Sequence, residues 1–115
     1  MNQNEPTNKS PLEYIAETLS EEDLLCQIAE EASELAQAAL KRRRAITQTN
    51  LPPTTPEAAM ADIIEEYGDV MNAMEAYLFK NGLCDSTILK GLPRLKLVRW
   101  ARRIKEKLEG ESDAN

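Results

Sequence analysis

Apolar residues recur at spacings of three and four along most of this chain, the period of helices with one buried face. Residues 1–10 (MNQNEPTNKS) are polar and read as a flexible terminus. Ser10-Pro11 opens a short helix predicted over Pro11 to about Thr18, with Leu12, Ile15 and Leu19 as its stripe. Ser20, with Asp23 three residues on, is close to a capping box and starts a second helix. That helix is predicted to reach about Arg44 on a stripe of Leu24, Leu25, Ile28, Ala32, Leu35, Ala36, Ala39 and Leu40. Its last residues, Lys41 to Arg44, are cations that suit a helix C-terminus. Residues 45–55 contain Pro52 and Pro53 and form the one real loop. Thr55-Pro56-Glu57 is a cap, a proline and an acid, and starts a third helix predicted over 56–80. Ala59, Ile63, Val70, Met74 and Tyr77 line its apolar side, with Met60, Met71 and Leu78 beside them. Asn81-Gly82 reads as its C-terminal cap.

Asp85-Ser86 restarts a helix, which Gly91 and Pro93 break or kink. A last amphipathic helix carries Leu95, Leu97, Val98, Ala101, Ile104 and Leu108 to about Glu109, and 110–115 reads as a disordered tail. No strand-like alternation, internal repeat or Gly-rich phosphate loop interrupts this pattern. The expected fold is all-α, a four- to five-helix bundle within one domain over 11–109.

Composition adds three constraints. At 115 residues, 42% hydrophobic and only 4% aromatic, the chain supports one modest aliphatic core. Such a core is readily completed by a second copy, so a homodimer or homotetramer is expected. The absence of histidine excludes imidazole zinc sites, Ser-His-Asp triads and Cys-His nucleophiles. Cys26 and Cys84 stand in apolar contexts and are expected as buried free thiols. The polar start shows no secretion signal and no apolar run is long enough for a membrane span, so a cytoplasmic protein with no membrane partner is expected.

The net charge of −6 is unevenly spread. Residues 1–79 carry 5 basic and 15 acidic side chains, whereas 80–115 carry 9 basic and 5 acidic. The overall acidity argues against nucleic acid as a partner, because phosphate backbones need a strong basic field.

Two acidic clusters carry the candidate chemistry: Glu30-Glu31-Ala32-Ser33-Glu34 and Glu65-Glu66-Tyr67-Gly68-Asp69. Helical residues three apart share a face. Glu31 with Glu34, and Glu66 with Asp69, therefore aim four carboxylates at one point if their helices pack together. Ile28, Leu35, Val70 and Met74 flank these acids at helical spacing, and no Lys or Arg lies within a turn of Glu31, Glu66 or Asp69. Carboxylates at a core-facing position repel one another unless a cation sits among them. An all-oxygen ligand set suits magnesium, with manganese as a substitute, more than zinc. The usual cargo of such a site is phosphate.

The double motif, EEASELAQAAL from Glu30 to Leu40 and EEYGDVMNAME from Glu65 to Glu75, resembles the all-α nucleoside triphosphate pyrophosphatases, the MazG-like group. Related branches are the dimeric dUTPases and the phosphoribosyl-ATP pyrophosphohydrolases. The resemblance spans about residues 20 to 108 and implies magnesium-dependent cleavage of a nucleoside triphosphate to monophosphate and pyrophosphate. By motif position it implies Glu31, Glu34, Glu66 and Asp69 as metal ligands. It makes Glu30 and Glu34 the catalytic carboxylates, Glu30 as an outer-shell ligand or an orienter of the attacking water. The 31 residues from Leu35 to Glu65 are at or beyond the long end of the family's spacing. The extra length is the basic end of the second helix and the Pro-rich loop, which is a lid, a specificity element or a longer connection. Gly68 permits close helix approach or ligand access.

Other polar residues are candidates for the substrate. Asn72, one turn after Asp69, either hydrogen-bonds a water or a sugar or is an ordinary polar helix residue. Among Lys96, Arg99, Arg102 and Arg103, Lys96 and Arg99 are the preferred phosphate contacts; solvent or intersubunit pairing is the alternative. Tyr67 and Trp100 are candidates to stack on a base, with core or interface packing as the alternative for Trp100. Met60, Met71 and Met74 are expected as core fillers. The reading is a metal-dependent nucleotide pyrophosphohydrolase that clears noncanonical or excess nucleoside triphosphates. Its rivals are a narrower dUTP/dCTP or phosphoribosyl-ATP hydrolase, and a noncatalytic helical module that binds nucleotides or a partner protein.

Overall fold

The computed structural model describes residues 8–48, 54–84 and 87–113. Among them are four helices and no strand: α1 (Pro11–Thr18), α2 (Glu21–Thr47), α3 (Pro56–Lys80) and α4 (Thr87–Asp113). The chain divides into two compact units, Met1–Gly82 with the first three helices and Leu83–Asn115 with the fourth. No helix of the described residues is long and apolar enough to cross a membrane.

Local chemistry sets the helix starts. Ser10 Oγ accepts from the Glu13 amide, Ser20 Oγ from that of Asp23 and Thr55 Oγ1 from that of Ala58, at 3.2, 3.0 and 3.2 Å. Each satisfies an amide that the first turn leaves without a partner. Pro11 and Pro56 open α1 and α3, where a missing N–H loses nothing. Gly82, at φ 68°, takes the left-handed conformation that ends α3. The second helix runs past Arg44 to Thr47, because Ala45 is a buried contact and not a loop residue. The expected restart at Asp85-Ser86 and residues 49–53 of the expected loop lie outside the described residues, as do residues 1–7 of the expected flexible terminus.

The helices of the first unit pack as an antiparallel pair with α1 against α3. The Tyr77 hydroxyl donates to Glu21 at 3.0 Å, Lys41 to Asp62 at 3.1 Å, and the Arg42 guanidinium to the Pro56 carbonyl. Partners thus fall in number along α3 as they rise along α2. The Lys80 ammonium donates to the Ala16 carbonyl at 3.0 Å and ties α1 to the end of α3.

The inner face of α2 follows Leu24, Ile28, Glu31, Leu35, Ala38, Arg42 and Ala45, alternating steps of four and three as in a coiled-coil seam. Leu24, Ala38 and Ala45 are buried, as are Ala59, Ala73 and Ala76 on α3 and Ala16 on α1. This seam is rotated from the predicted stripe. Leu25 and Leu40 are 47% and 55% exposed, and Ala32, Ala36 and Ala39 are exposed with them. On α3, Met60, Met71 and Met74 are exposed and fill no core. They belong with Ile64 and Tyr67 to a second, outward apolar stripe. Cys26 and Cys84 are exposed, so the expected burial does not hold. Cys26 follows Leu25 onto the outer side of α2.

In the second unit, α4 continues through Gly91 and Pro93, so the expected break does not occur. Proline there removes the amide bond to the Leu89 carbonyl and crowds that carbonyl, close to the helix start. The helix also passes Glu109 and carries residues 110–113, placed by the sequence in a disordered tail, to Asp113. Its apolar residues, Leu95, Leu97, Val98, Trp100, Ile104 and Leu108 among them, are exposed.

Gly68 is not demanded by packing: a Cβ there meets no atom within 4 Å. Close helix approach is therefore not its reason. Alanine at Gly68 is expected to stabilise the protein by about 0.5–1 kcal/mol through helix propensity. Alanine at Gly82 forces a side chain into left-handed backbone and is expected to destabilise by about 1 kcal/mol. Urea unfolding of the two variants checks both signs; a destabilised Gly68→Ala means a close contact at that position after all.

Candidate metal centre

The antiparallel pairing sets the middle of α2 against the middle of α3, and there the acids meet. Glu31, Glu34 and Glu66 each offer a carboxylate oxygen, and these oxygens lie within 4.8 Å of one another. Glu31 and Glu66 are half-buried, while Glu34 is exposed at the rim. Helix geometry explains the set: Glu31 is a seam residue, Glu34 sits one turn further on the same side, and Glu66 faces both.

Two oxygens at this point are unsatisfied. Oε2 of Glu31 and Oε2 of Glu66 are shielded from solvent and accept no hydrogen bond. The other Glu31 oxygen accepts from the Gln27 amide at 2.7 Å, one turn back on α2. Shielded carboxylate oxygens without a donor are costly, and a hard divalent cation is the partner that oxygen ligands favour. The donor set fits magnesium or manganese and lacks the sulfur or imidazole that zinc prefers.

Electrostatics follow from the crowding. Glu31 titrates above the ordinary carboxylate range because its desolvation disfavours the anion, with Glu34 and Asp69 adding repulsion. Glu34 is also held above that range, chiefly because its carboxyl faces Glu66 closely enough to share a proton, then by direct repulsion from Glu66.

Asp69 is not in the trio. It neighbours Glu31 on the side toward α1, and the two line an open cleft of about 290 Å³. Ile15 and Leu19 from the α1 side, Leu24 from α2 and Ala73 and Ala76 from α3 give that cleft apolar walls. Gln27 and Asn72 add polar groups to it. Glu30 is an exposed residue of α2 whose charge acts on Glu34. Tyr67 is 57% exposed on the outer stripe of α3. Lys96 and Arg99 are exposed residues of α4 in the second unit, and Trp100 beside them is 57% exposed.

No family model, curated protein or solved structure matches the chain. Its function must therefore be read from the site itself.

The structure also brings forward residues that the motif reading passed over. A second open cleft, of about 390 Å³, lies beside Glu34 and Glu66 and is lined further by Gln37, Lys41, Arg44 and Asp62. Their spacing was available as a signal. Gln27 stands four residues before Glu31, Asp62 four before Glu66, and Lys41 seven after Glu34.

The raised pKa values fix the sign of a stability effect. A carboxyl whose folded value is raised contributes fully below its ordinary value, 4.5 here, and loses that contribution as pH rises through the folded value. In chelator-treated protein, Glu34→Gln is thus expected to melt above wild type at pH 7. The gap should close as pH falls through the carboxylate range. Thermal melts in the presence of chelator, from about pH 3 to about pH 8, test it, a span that runs from below the ordinary carboxylate values to well above them. A variant less stable than wild type at pH 7 contradicts the repulsion.

Proposed function

We propose that this protein is a magnesium-dependent nucleotide pyrophosphohydrolase of the MazG-like kind, cleaving a nucleoside triphosphate to monophosphate and pyrophosphate. The observation that carries the reading is the trio of Glu31, Glu34 and Glu66, drawn from two antiparallel helices, with two shielded oxygens lacking any donor. The order of the two motifs, on consecutive long helices, supports it further.

Glu31, Glu34 and Glu66 would hold the ion, with Asp69 beside Glu31 as a further acid. Magnesium or manganese, when bound, offsets the negative charge that builds on phosphate oxygens. Gln27 fixes the rotamer of Glu31 through its 2.7 Å hydrogen bond. Glu30 lies outside the trio, one turn before Glu34, and remains free to take a proton from water. The water oxygen joins the α-phosphorus while the bond from that phosphorus to the bridging oxygen breaks. The electron pair leaves on the pyrophosphate, and the proton of the water passes to the carboxylate. The apolar cleft beside Glu31 and Asp69 suits a nucleoside, with Asn72 as a hydrogen-bonding partner for its sugar or base.

Association with a second copy is part of this reading. The outward stripe of Met60, Ile64, Tyr67, Met71 and Met74 is a contiguous apolar face of the kind that partners cover. The intact protein is expected to sediment as a dimer or tetramer, and Ile64→Lys to shift it toward monomer; a monomeric wild type refutes the association.

The reaction is tested by incubating the protein with magnesium and a panel of ribo- and deoxynucleoside triphosphates, alongside Glu34→Gln and Asp69→Asn. Monophosphate plus pyrophosphate is expected. Loss of about a hundredfold in rate is expected for each variant, the scale on which electrostatic groups contribute. Diphosphate plus phosphate means another bond is cleaved. With no turnover at all, and no rise in melting temperature from magnesium with a nonhydrolysable nucleotide, the chain is a noncatalytic module.

A further inference from the structure

We propose that the cleft beside Glu34 and Glu66 is the subsite for the terminal phosphates of the substrate, with Lys41 and Arg44 as its cations. This rests on the pyrophosphohydrolase reading and gives the substrate a direction along the α2–α3 groove.

The carboxylate trio is shared between two clefts of opposite character. Glu31 and Asp69 line the cleft walled by Ile15, Leu19, Leu24 and small residues of α3, where no Lys or Arg stands among the described residues. Glu34 and Glu66 line the other, where Lys41 and Arg44 stand on α2 and Asp62 on α3. A nucleotide has the same polarity, apolar at the base and anionic at the phosphates. With its base against Ile15 and Leu19 and its α-phosphate at the trio, the phosphates beyond the scissile bond reach the cationic cleft. The reverse placement sets anionic phosphates among apolar walls without a counter-charge.

The cations are arranged for this. Glu34, Gln37, Lys41 and Arg44 follow one another at steps of three and four, a stripe leading from the acids to the bases. Lys41 stands two turns beyond Glu34, about 10 Å along the helix, and its long flexible stem lets the ammonium reach back. Its Nζ donates to Asp62 at 3.1 Å, with both side chains more than a third exposed. An ammonium has three donors, so Lys41 can keep Asp62 and still contact a phosphate oxygen. The Arg44 guanidinium has no carboxylate partner among the described residues. Its planar fork suits two phosphate oxygens at once. Both residues lie in the basic segment that lengthens α2, so the long connection between the acidic motifs brings cations to the site.

The test is calorimetric titration of the full chain with magnesium pyrophosphate and, separately, with nucleoside monophosphate. It compares wild type with Lys41→Met, Arg44→Met and Lys41→Arg. Each Met variant is expected to bind pyrophosphate about tenfold more weakly while binding monophosphate as before. Lys41→Arg should retain pyrophosphate affinity, and kcat/KM for triphosphate should fall in the Met variants, because the cations face the charge that builds on the leaving pyrophosphate. Unchanged pyrophosphate affinity in both Met variants, or equal loss for the two ligands, overturns the subsite. A wild type that hydrolyses triphosphates beside such variants leaves the reaction standing. A wild type that hydrolyses none overturns the reaction, and the pyrophosphate titrations then decide the subsite on their own.

Discussion

Small side chains fill the buried contacts among the first three helices. Ala38 and Ala45 on α2, and Ala59, Ala73 and Ala76 on α3, are buried, while Leu24 is the single large side chain fully enclosed among the described residues. Small residues at a helix contact let the axes approach toward the short end of the usual range. The acids stand beside those contacts, with carboxylate oxygens of Glu31, Glu34 and Glu66 within 4.8 Å of one another. A seam of leucines would push the axes apart and disperse the same carboxylates into solvent.

The acids then work against the seam that gathers them. Glu31 occupies a position that packing alone would give to an aliphatic residue, between Ile28 and Leu35. Ionised, it adds desolvation and repulsion at the seam, so it holds its proton more tightly than a free carboxylate does, and Glu34 does so chiefly through its hydrogen-bonded pairing with Glu66. Packing at both ends of the hairpin supplies what the middle gives up. At one end Tyr77 holds Glu21, and at the other Arg42 and Lys41 hold α3. A structure that tolerates local instability at one point, with local order elsewhere, has the pattern expected of a functional site.

Much of this was legible in the sequence, for definite physical reasons. The caps at Ser10, Ser20 and Thr55 are local chemistry, readable from a few adjacent residues, and α1 and α3 have the predicted bounds. Glu31 and Glu34 were legible because a spacing of three fixes a shared face, and Glu66 because the second acidic motif stands on the helix that packs against theirs. The stripe of α2 was legible only in part, at Leu24, Ile28 and Leu35, because that helix has two apolar faces: Leu25, Ala32, Ala36 and Ala39 compete with Leu24, Ile28, Leu35 and Ala38. Only the partner helix decides between them. Asp69 departs from the trio for a related reason. Three residues fall short of a full turn, so each such step drifts around the helix, and on α3 the drift leads toward α1. Lys41 and Arg44 were read as capping charges, since their nearness to the acids arises only when a second helix folds back beside them.

The wall formed by α1 has a consequence for how such a protein diversifies. That helix has eight residues, too few to be stable alone, and it is held by the Ser10 cap, by its packing on α3 and by Lys80 at the Ala16 carbonyl. Ile15 in α1 and Leu19 just past its end shape the apolar cleft, whereas the three clustered carboxylates stand on α2 and α3. Cleft wall and acid cluster are thereby inherited as separate parts. Drift at Ile15 and Leu19 reshapes the cleft, while the acid-bearing hairpin passes through the change unaltered.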